Sequence, residues 1–102
     1  MNVPIRITAL HMELNDIIKD YVHQKFQKLE NHFSHIMDIH VTLSVERFNH
    51  AFQHKAKAHV ILPKKHAIDA EEISPDMYAS IDVLIDKLNR QLMEFKDKLK
   101  GE

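Results

Sequence analysis

Two long segments place their apolar residues at the spacing of an amphipathic helix. When each set is projected at about 100° per residue, it forms a single stripe. The first set predicts a helix of about five turns, with Asn15 as its N-cap. The second predicts a helix that starts at Pro75 behind a Ser74 cap, or two residues later behind an Asp76 cap. The two stripes are Leu14, Ile18, Val22, Phe26, Leu29 and Phe33, and Met77, Ile81, Leu84, Ile85, Leu88, Leu92, Phe95 and Leu99.

Four shorter segments alternate between apolar and polar residues, as half-buried strands do. They cover 3–9, 39–46, 55–62 and 66–72. Pro4 predicts that the first strand lies at an edge of the sheet. Turns are predicted at 47–50, where Asn49 tolerates the left-handed conformation, and at 63–65 after Pro63.

The predicted order of elements is β-α-β-β-β-α. Each helix has one apolar stripe and each strand has one apolar face, so the elements should pack as two layers. We expect an α+β fold, with both helices on one face of a four-stranded, mainly antiparallel sheet. With 102 residues, the chain is expected to form a single domain over 1–102.

The charged residues of the second helix separate by sign on either side of its apolar stripe. One flank is basic and carries Lys87, Arg90, Gln91 and Lys98, although Glu94 lies among them. The other flank carries Asp82, Asp86 and Asp97. A helix that is only solvated needs no such sorting, which indicates that the basic flank meets an anionic partner.

The first helix shows the same sorting. One edge of its stripe is basic, and the acidic residues project away from that edge. If the two helices lie side by side, their basic flanks are expected to merge into one surface groove. The basic edge consists of Tyr21, Lys25, Lys28 and His32, and the acidic residues are Asp16, Asp20 and Glu30.

The composition limits the chemistry that this chain can perform. It contains no cysteine and one glycine, Gly101, so thiolate sites, P-loops and dinucleotide-binding fingerprints are excluded. The net charge of −1 means that binding to nucleic acid must rest on a local patch. No signal peptide or membrane-spanning segment is visible, so a cytoplasmic location is expected.

Nine histidines and one pair of aspartates raise the question of a metal or catalytic site. The spacing His50-x-x-x-His54 can bind zinc on a helix, but here it straddles a predicted turn and strand. His32-x-x-His35 is the other candidate pair, and Asp82 with Asp86 could form a carboxylate pair. The preferred interpretation is that no metal, cofactor or catalytic residue is present and that the two aspartates form a solvated acidic flank. A small histidine-dependent enzyme would instead place several histidines in one pocket.

Several motifs of the two helices resemble the short ribosome hibernation-promoting factors and their ribosome-associated inhibitor relatives, in the sigma-factor modulation protein family. The resemblance extends over essentially the whole chain, and the second-helix motifs are the specific ones. The motifs are Lys25-Phe26-Gln27-Lys28-Leu29-Glu30, Asp76-Met77-Tyr78, Ile81-Asp82, Leu84-Ile85-Asp86-Lys87-Leu88, Arg90-Gln91-Leu92 and Lys96-Asp97-Lys98-Leu99-Lys100.

The resemblance implies a binding protein that performs no chemistry, has no small-molecule substrate and does not bind a membrane. Members of that family occupy the mRNA and tRNA channel of the small ribosomal subunit, block translation and favour inactive paired ribosomes. Short members act with a separate modulation factor, which becomes a candidate partner. The chain stops at Glu102, so it looks like the short type.

The implied contacts to ribosomal RNA map onto the basic flanks of both helices. We expect them at Lys25, Lys28, Lys87, Arg90, Gln91 and Lys98, with Tyr21 as a base-stacking candidate and His32 at the border. Glu94 departs from the family pattern and should weaken the patch locally. The alternative function is a stand-alone module for double-stranded RNA, which would bind naked duplex without ribosomes.

Overall fold

The computed structural model describes residues 3–100, with side chains described as far as Lys98. Six elements follow one another in the predicted order and confirm the predicted α+β architecture. The burial predicted for Leu99 lies outside the described side chains. The elements are β1 (Ile5–Leu10), α1 (Asp16–His32), β2 (Asp38–Phe48), β3 (Ala51–Leu62), β4 (His66–Ser74) and α2 (Met77–Lys100).

The four strands form one sheet in the order β1-β2-β3-β4. β1 runs parallel to β2, with Ile7 opposite Val41, and the other two pairs are antiparallel. The sheet is therefore mainly antiparallel, as predicted. α1 provides the crossover that two parallel neighbouring strands require. β1 is an edge strand, as Pro4 indicates, and Pro4 lies just before its first residue.

Both helices lie on one face of the sheet and bury their apolar stripes there. The inward residues of β2 and β3 form the floor of the core, and Ile85 and Phe95 are partly buried at its border. In β3, Ala56, Ala58, Val60 and Leu62 point inward and are buried. The core consists of Val22, Phe26, Leu29, Phe33, Ile36, Ile39, Val41, Leu43, Ala56, Ala58, Val60, Leu62, Met77, Ile81, Leu84, Leu88 and Leu92.

The opposite face of the sheet carries polar side chains in cross-strand pairs. Arg6 Nη2 lies 2.8 Å from Asp38 Oδ2, and Lys55 Nζ lies 3.1 Å from Glu71 Oε2. Because these pairs are solvent-exposed, each contributes about 0–1 kcal/mol to stability. The sheet is thus stabilised mainly by the face that the helices cover.

Neither helix within residues 3–100 is long and apolar enough to span a membrane.

Each helix is capped by a side chain at its N-terminus. Asn15 Oδ1 accepts a hydrogen bond from the Ile18 amide at 2.9 Å, which confirms the predicted cap of α1. For α2, Asp76 Oδ2 accepts from the Ala79 amide at 3.1 Å. Asp76 is therefore the cap, and Pro75 lies outside the helix. Of the two predicted starts, the one behind Asp76 is confirmed. The start at Pro75 behind Ser74 is wrong, because the cap lies two residues further on.

The hairpin between β2 and β3 turns more tightly than predicted. Asn49 and His50 alone form the turn, with φ of 49° and 66°. A two-residue turn with both residues in the left-handed region matches the twist of the strands. Phe48 therefore still pairs with Ala51, and the predicted turn at 47–50 shortens to its last two residues.

We predict that Leu88→Ala lowers the free energy of unfolding by about 2–5 kcal/mol, because the side chain is fully buried and leaves a cavity. Chemical denaturation measures the loss. Val83→Ala on the exposed side of the same helix is the control and should change stability by less than about 0.5 kcal/mol. Equal losses in the two variants would contradict the orientation of α2 described above.

Candidate nucleic-acid interface

The basic edge of α1 faces α2, but it meets the acidic flank of that helix. The Tyr21 hydroxyl donates a hydrogen bond of 2.5 Å to Asp82 Oδ1, and Lys25 Nζ lies 3.5 Å from the same oxygen. The expectation that two basic flanks merge between the helices was therefore wrong. The rotation of each helix is fixed by its apolar stripe, and this rotation turns the Asp82 side of α2 toward α1.

Tyr21 is enclosed by neighbours on several sides. Its ring lies edge-on to that of Tyr78, with centroids 4.9 Å apart, and Lys25 Nζ lies 5.3 Å from the Tyr21 centroid. The hydrogen bond to Asp82, burial and nearby negative charge together raise the pKa of Tyr21 to about 12, and the hydrogen bond is the largest cause. This arrangement joins the two helices.

The basic flank of α2 packs beside β4 instead of α1. Lys87 Nζ donates to the Glu71 carbonyl at 2.9 Å and to Glu72 Oε1 at 2.7 Å. Further along the helix, Gln91 Nε2 donates to the Asp69 carbonyl at 3.0 Å. Lys87 and Gln91 thus bind α2 to β4, the edge strand on this side of the sheet. Glu72 partly neutralises the charge of Lys87.

Three predicted cations remain available at the surface. Lys28, Arg90 and Lys98 are exposed, and none has an acidic partner within 4.0 Å among residues 3–98. Lys28 belongs to α1, and Arg90 and Lys98 belong to α2. The helical layer therefore presents unpaired positive charges from both helices, although the acidic flank of α2 separates them.

His32 lies at the C-terminal end of α1, on the border of the helical layer. It lines an open cleft of about 380 Å³ between the helices, together with Asn89, Met93 and Lys96. Asp97 also lines this cleft, so its charge is mixed. His32 is exposed and lies beside a lysine as well as an aspartate.

A second cleft, of about 350 Å³, lies between α2 and the turn that joins β3 to β4. Gln91, Glu94 and Lys98 line it from the helix, Lys64 lines it from the turn, and His66 lines it from the start of β4. Residues 63–65 were predicted to form a turn, and no role was predicted for their side chains. Three consecutive basic residues after a proline were the signal that pointed to them.

The histidines do not gather at one site. Among the residues that the structure describes, no group of three or more histidine, aspartate or glutamate side chains is arranged to hold a metal ion. His50 lies in the β2–β3 turn and His54 in β3, so the pair does not share a helix. His59 Nδ1 lies 2.7 Å from Asp69 Oδ1 on the open face of the sheet. Asp82 binds Tyr21 and Lys25 rather than pairing with Asp86.

Comparison with known proteins gives a consistent result over nearly the full chain. The family described as sigma 54 modulation protein / S30EA ribosomal protein matches residues 5–100. The ribosome hibernation promoting factor of Escherichia coli K12 is 44% identical over 96 residues, which cover 94% of this chain and 96% of that protein.

Two solved structures share the fold. A ribosomal subunit interface protein from Coxiella burnetii superposes with a TM-score of 0.81 at 25% identity, covering 91% of this chain and 97% of that one. The N-terminal domain of Thermus thermophilus Protein Y superposes with a TM-score of 0.71 at 27% identity, covering 93% and 99%. The order and packing of the six elements are therefore shared with both.

We predict that Tyr21 titrates near pH 12 and that Asp82→Asn moves its pKa toward the ordinary value of 10.0. Because the folded state raises this pKa, the associated stability is complete below about pH 10 and is lost as the pH rises through 12. Tyrosinate absorbance measures the midpoint in a Tyr78→Phe background, where Tyr21 is the remaining tyrosine.

Asp86→Asn is the control for this titration, because Asp86 lies on the same helix and does not contribute to the shift. It should leave the midpoint of Tyr21 unchanged. A midpoint that is the same in the Asp82→Asn variant and in its parent would show that the Tyr21–Asp82 hydrogen bond does not form.

Proposed function

The chain belongs to the family of sigma 54 modulation proteins and S30EA ribosomal proteins, and on this basis we propose that it is a ribosome hibernation factor. The observation that carries the proposal is the 44% identity to a ribosome hibernation promoting factor over 94% of the chain. The protein binds ribosomes in the cytoplasm during stationary phase or stress, and it lowers translation without a chemical step.

We further propose that residues 1–102 form one binding domain that docks in the mRNA and tRNA channel of the small subunit. Two features support this placement. The family match spans residues 5–100 without interruption. The body is elongated, with principal extents of 50 × 26 × 20 Å, so it is narrow enough along two axes to enter a channel. Occupancy of the channel then excludes mRNA and tRNA.

The exposed cations of the helical layer are the groups best suited to contact ribosomal RNA. Lys28, Arg90 and Lys98 can neutralise phosphates without breaking an ion pair, and Arg90 can do so with two parallel hydrogen bonds. Lys25 and Lys87 must first exchange an acidic partner for a phosphate, so each should contribute less.

The remaining predicted residues have supporting roles in this proposal. Gln91 holds α2 against β4, and Tyr21 holds α1 against Asp82, so both position the cations rather than carry charge. Tyr21 stacks on a base only if Lys25 moves from its ring. His32 borders the layer at the C-terminal end of α1.

Co-sedimentation with purified ribosomes tests the proposed function directly. We expect the protein to move with the small subunit in a sucrose gradient and to show no comparable binding to a naked RNA duplex. Binding to the duplex at equal or higher affinity would replace this function with that of a stand-alone double-stranded-RNA module. Addition of a ribosome modulation factor should increase the fraction of paired particles.

We predict that Lys28→Gln with Arg90→Gln weakens ribosome binding and lowers the slope of log K against log[salt] by about 2, one for each lost phosphate contact. A titration of labelled protein with ribosomes at several salt concentrations measures the slope. Circular dichroism should show an unchanged fold, because both side chains are exposed.

Lys19→Gln provides the matched control for this pair. Lys19 is an exposed lysine of α1 that lies outside the basic edge. Its substitution should leave the salt slope as it is in the unmodified protein. If the double variant retains the full slope, the cations of the helical layer do not contact RNA.

A further inference from the structure

We propose that the turn between β3 and β4 forms a second phosphate-binding site, in which Lys64, Lys65 and His66 act with Lys98 of α2 on the backbone of RNA. The inference rests on the proposed function, because the ribosome supplies that RNA. It extends the contact surface from the exposed side of the helices to one end of the sheet.

The first support is the placement of these residues around one cleft. Lys64 lines the cleft of about 350 Å³ from the turn, His66 lines it from the start of β4, and Lys98 lines it from α2. Lys65 is the adjacent residue of the same turn and is also exposed. The His66 ring lies edge-on to Phe95, with centroids 5.3 Å apart, which fixes the histidine at the wall of the cleft.

The second support is the absence of neutralising partners. Among residues 3–98, none of the three lysines has a carboxylate within 4.0 Å. Glu94 lines the same cleft but pairs with none of them. Two lysines, Lys64 and Lys98, and one glutamate therefore line the cleft, and Lys65 is the next residue of the turn. A phosphate group can bind there without displacing an internal ion pair.

The third support is the backbone conformation of the turn. Lys64 and Lys65 have φ of 60° and 62°, in the left-handed region. Glycine and asparagine adopt this region at lower cost than lysine, whose Cβ crowds the carbonyl. The β2–β3 turn uses Asn49 at its first left-handed position, whereas this turn uses lysine at both. A turn that served only to reverse the chain would be more stable with asparagine, which indicates that the charges are used.

The position of the cleft identifies it as an extension of the basic flank of α2. That flank runs from Lys87 through Gln91 to Lys98 and reaches the turn at its end. The basic flank of α2 is therefore continued by the β3–β4 turn and not by the basic edge of α1, as was expected from the sequence. RNA is the favoured occupant because it presents regularly spaced phosphates to a row of separated cations.

The test compares two double variants of equal net charge. The turn variant carries Lys64→Asn and Lys65→Asn, and the control variant carries Lys19→Gln and Lys57→Gln. Both control lysines are exposed and lie away from the cleft. Because asparagine tolerates the left-handed region, the turn variant should have a higher Tm than the unmodified protein. For this variant, the slope of log K for ribosome binding against log[salt] should fall in magnitude by about 2. A fourfold rise in salt should therefore weaken its binding by a factor roughly tenfold smaller than for the unmodified protein.

Four outcomes decide the inference. If the unmodified protein does not bind ribosomes, the proposed function fails, and this site fails with it. If it binds and the turn variant keeps the salt slope of the control, the second site is wrong while the proposed function stands. A benzophenone side chain at position 64 that crosslinks to ribosomal RNA supports the site, and crosslinks to protein alone overturn it.

Discussion

The packing of two apolar helix stripes against one face of the sheet determines where the charged side chains of the helices lie. Residues such as Phe26 and Leu88 are fully buried, and burying a side chain of this size contributes about 1.5–3 kcal/mol. Exposed ion pairs contribute about 0–1 kcal/mol each. The apolar contacts therefore set the rotation of each helix, and the charged side chains take the positions that this rotation leaves.

This hierarchy explains why like-charged flanks do not meet. With its stripe buried, α2 turns Asp82 toward α1 and Lys87 toward β4. Each contact pairs opposite charges, Lys25 with Asp82 and Lys87 with Glu72. The charged side chains between neighbouring elements are therefore complementary. The sorting by sign that is visible in the sequence thus serves two purposes. One part holds the elements together, and the other part, at Lys28, Arg90 and Lys98, remains free for a partner.

The order of elements, the core and the cap at Asn15 were predictable because each depends on periodicity or on a single local residue type. The neighbour of each basic flank was not predictable, because a helical projection gives the side on which a residue lies but not the element that this side faces. The cleft at Lys64 was missed for a related reason. A turn signal at Pro63 locates the chain reversal, whereas the proximity of Lys98 exists only in three dimensions.

A net charge of −1 is compatible with a polyanionic partner when the negative charges are placed away from the docking surface or are paired within it. Asp82 and Glu72 are paired, and Asp38 and Glu71 lie on the open face of the sheet. Glu94 and Asp97 are the exceptions, because they line the clefts beside Lys98 and His32. Lys28, Arg90 and Lys98 lie on the helical layer, and Lys64 and Lys65 lie at its end. Because salt screens exposed charges beyond about 10 Å at 0.1 M, the partner experiences this local arrangement more than the net charge. Affinity for a polyphosphate surface then depends on how many cations are left without an internal partner.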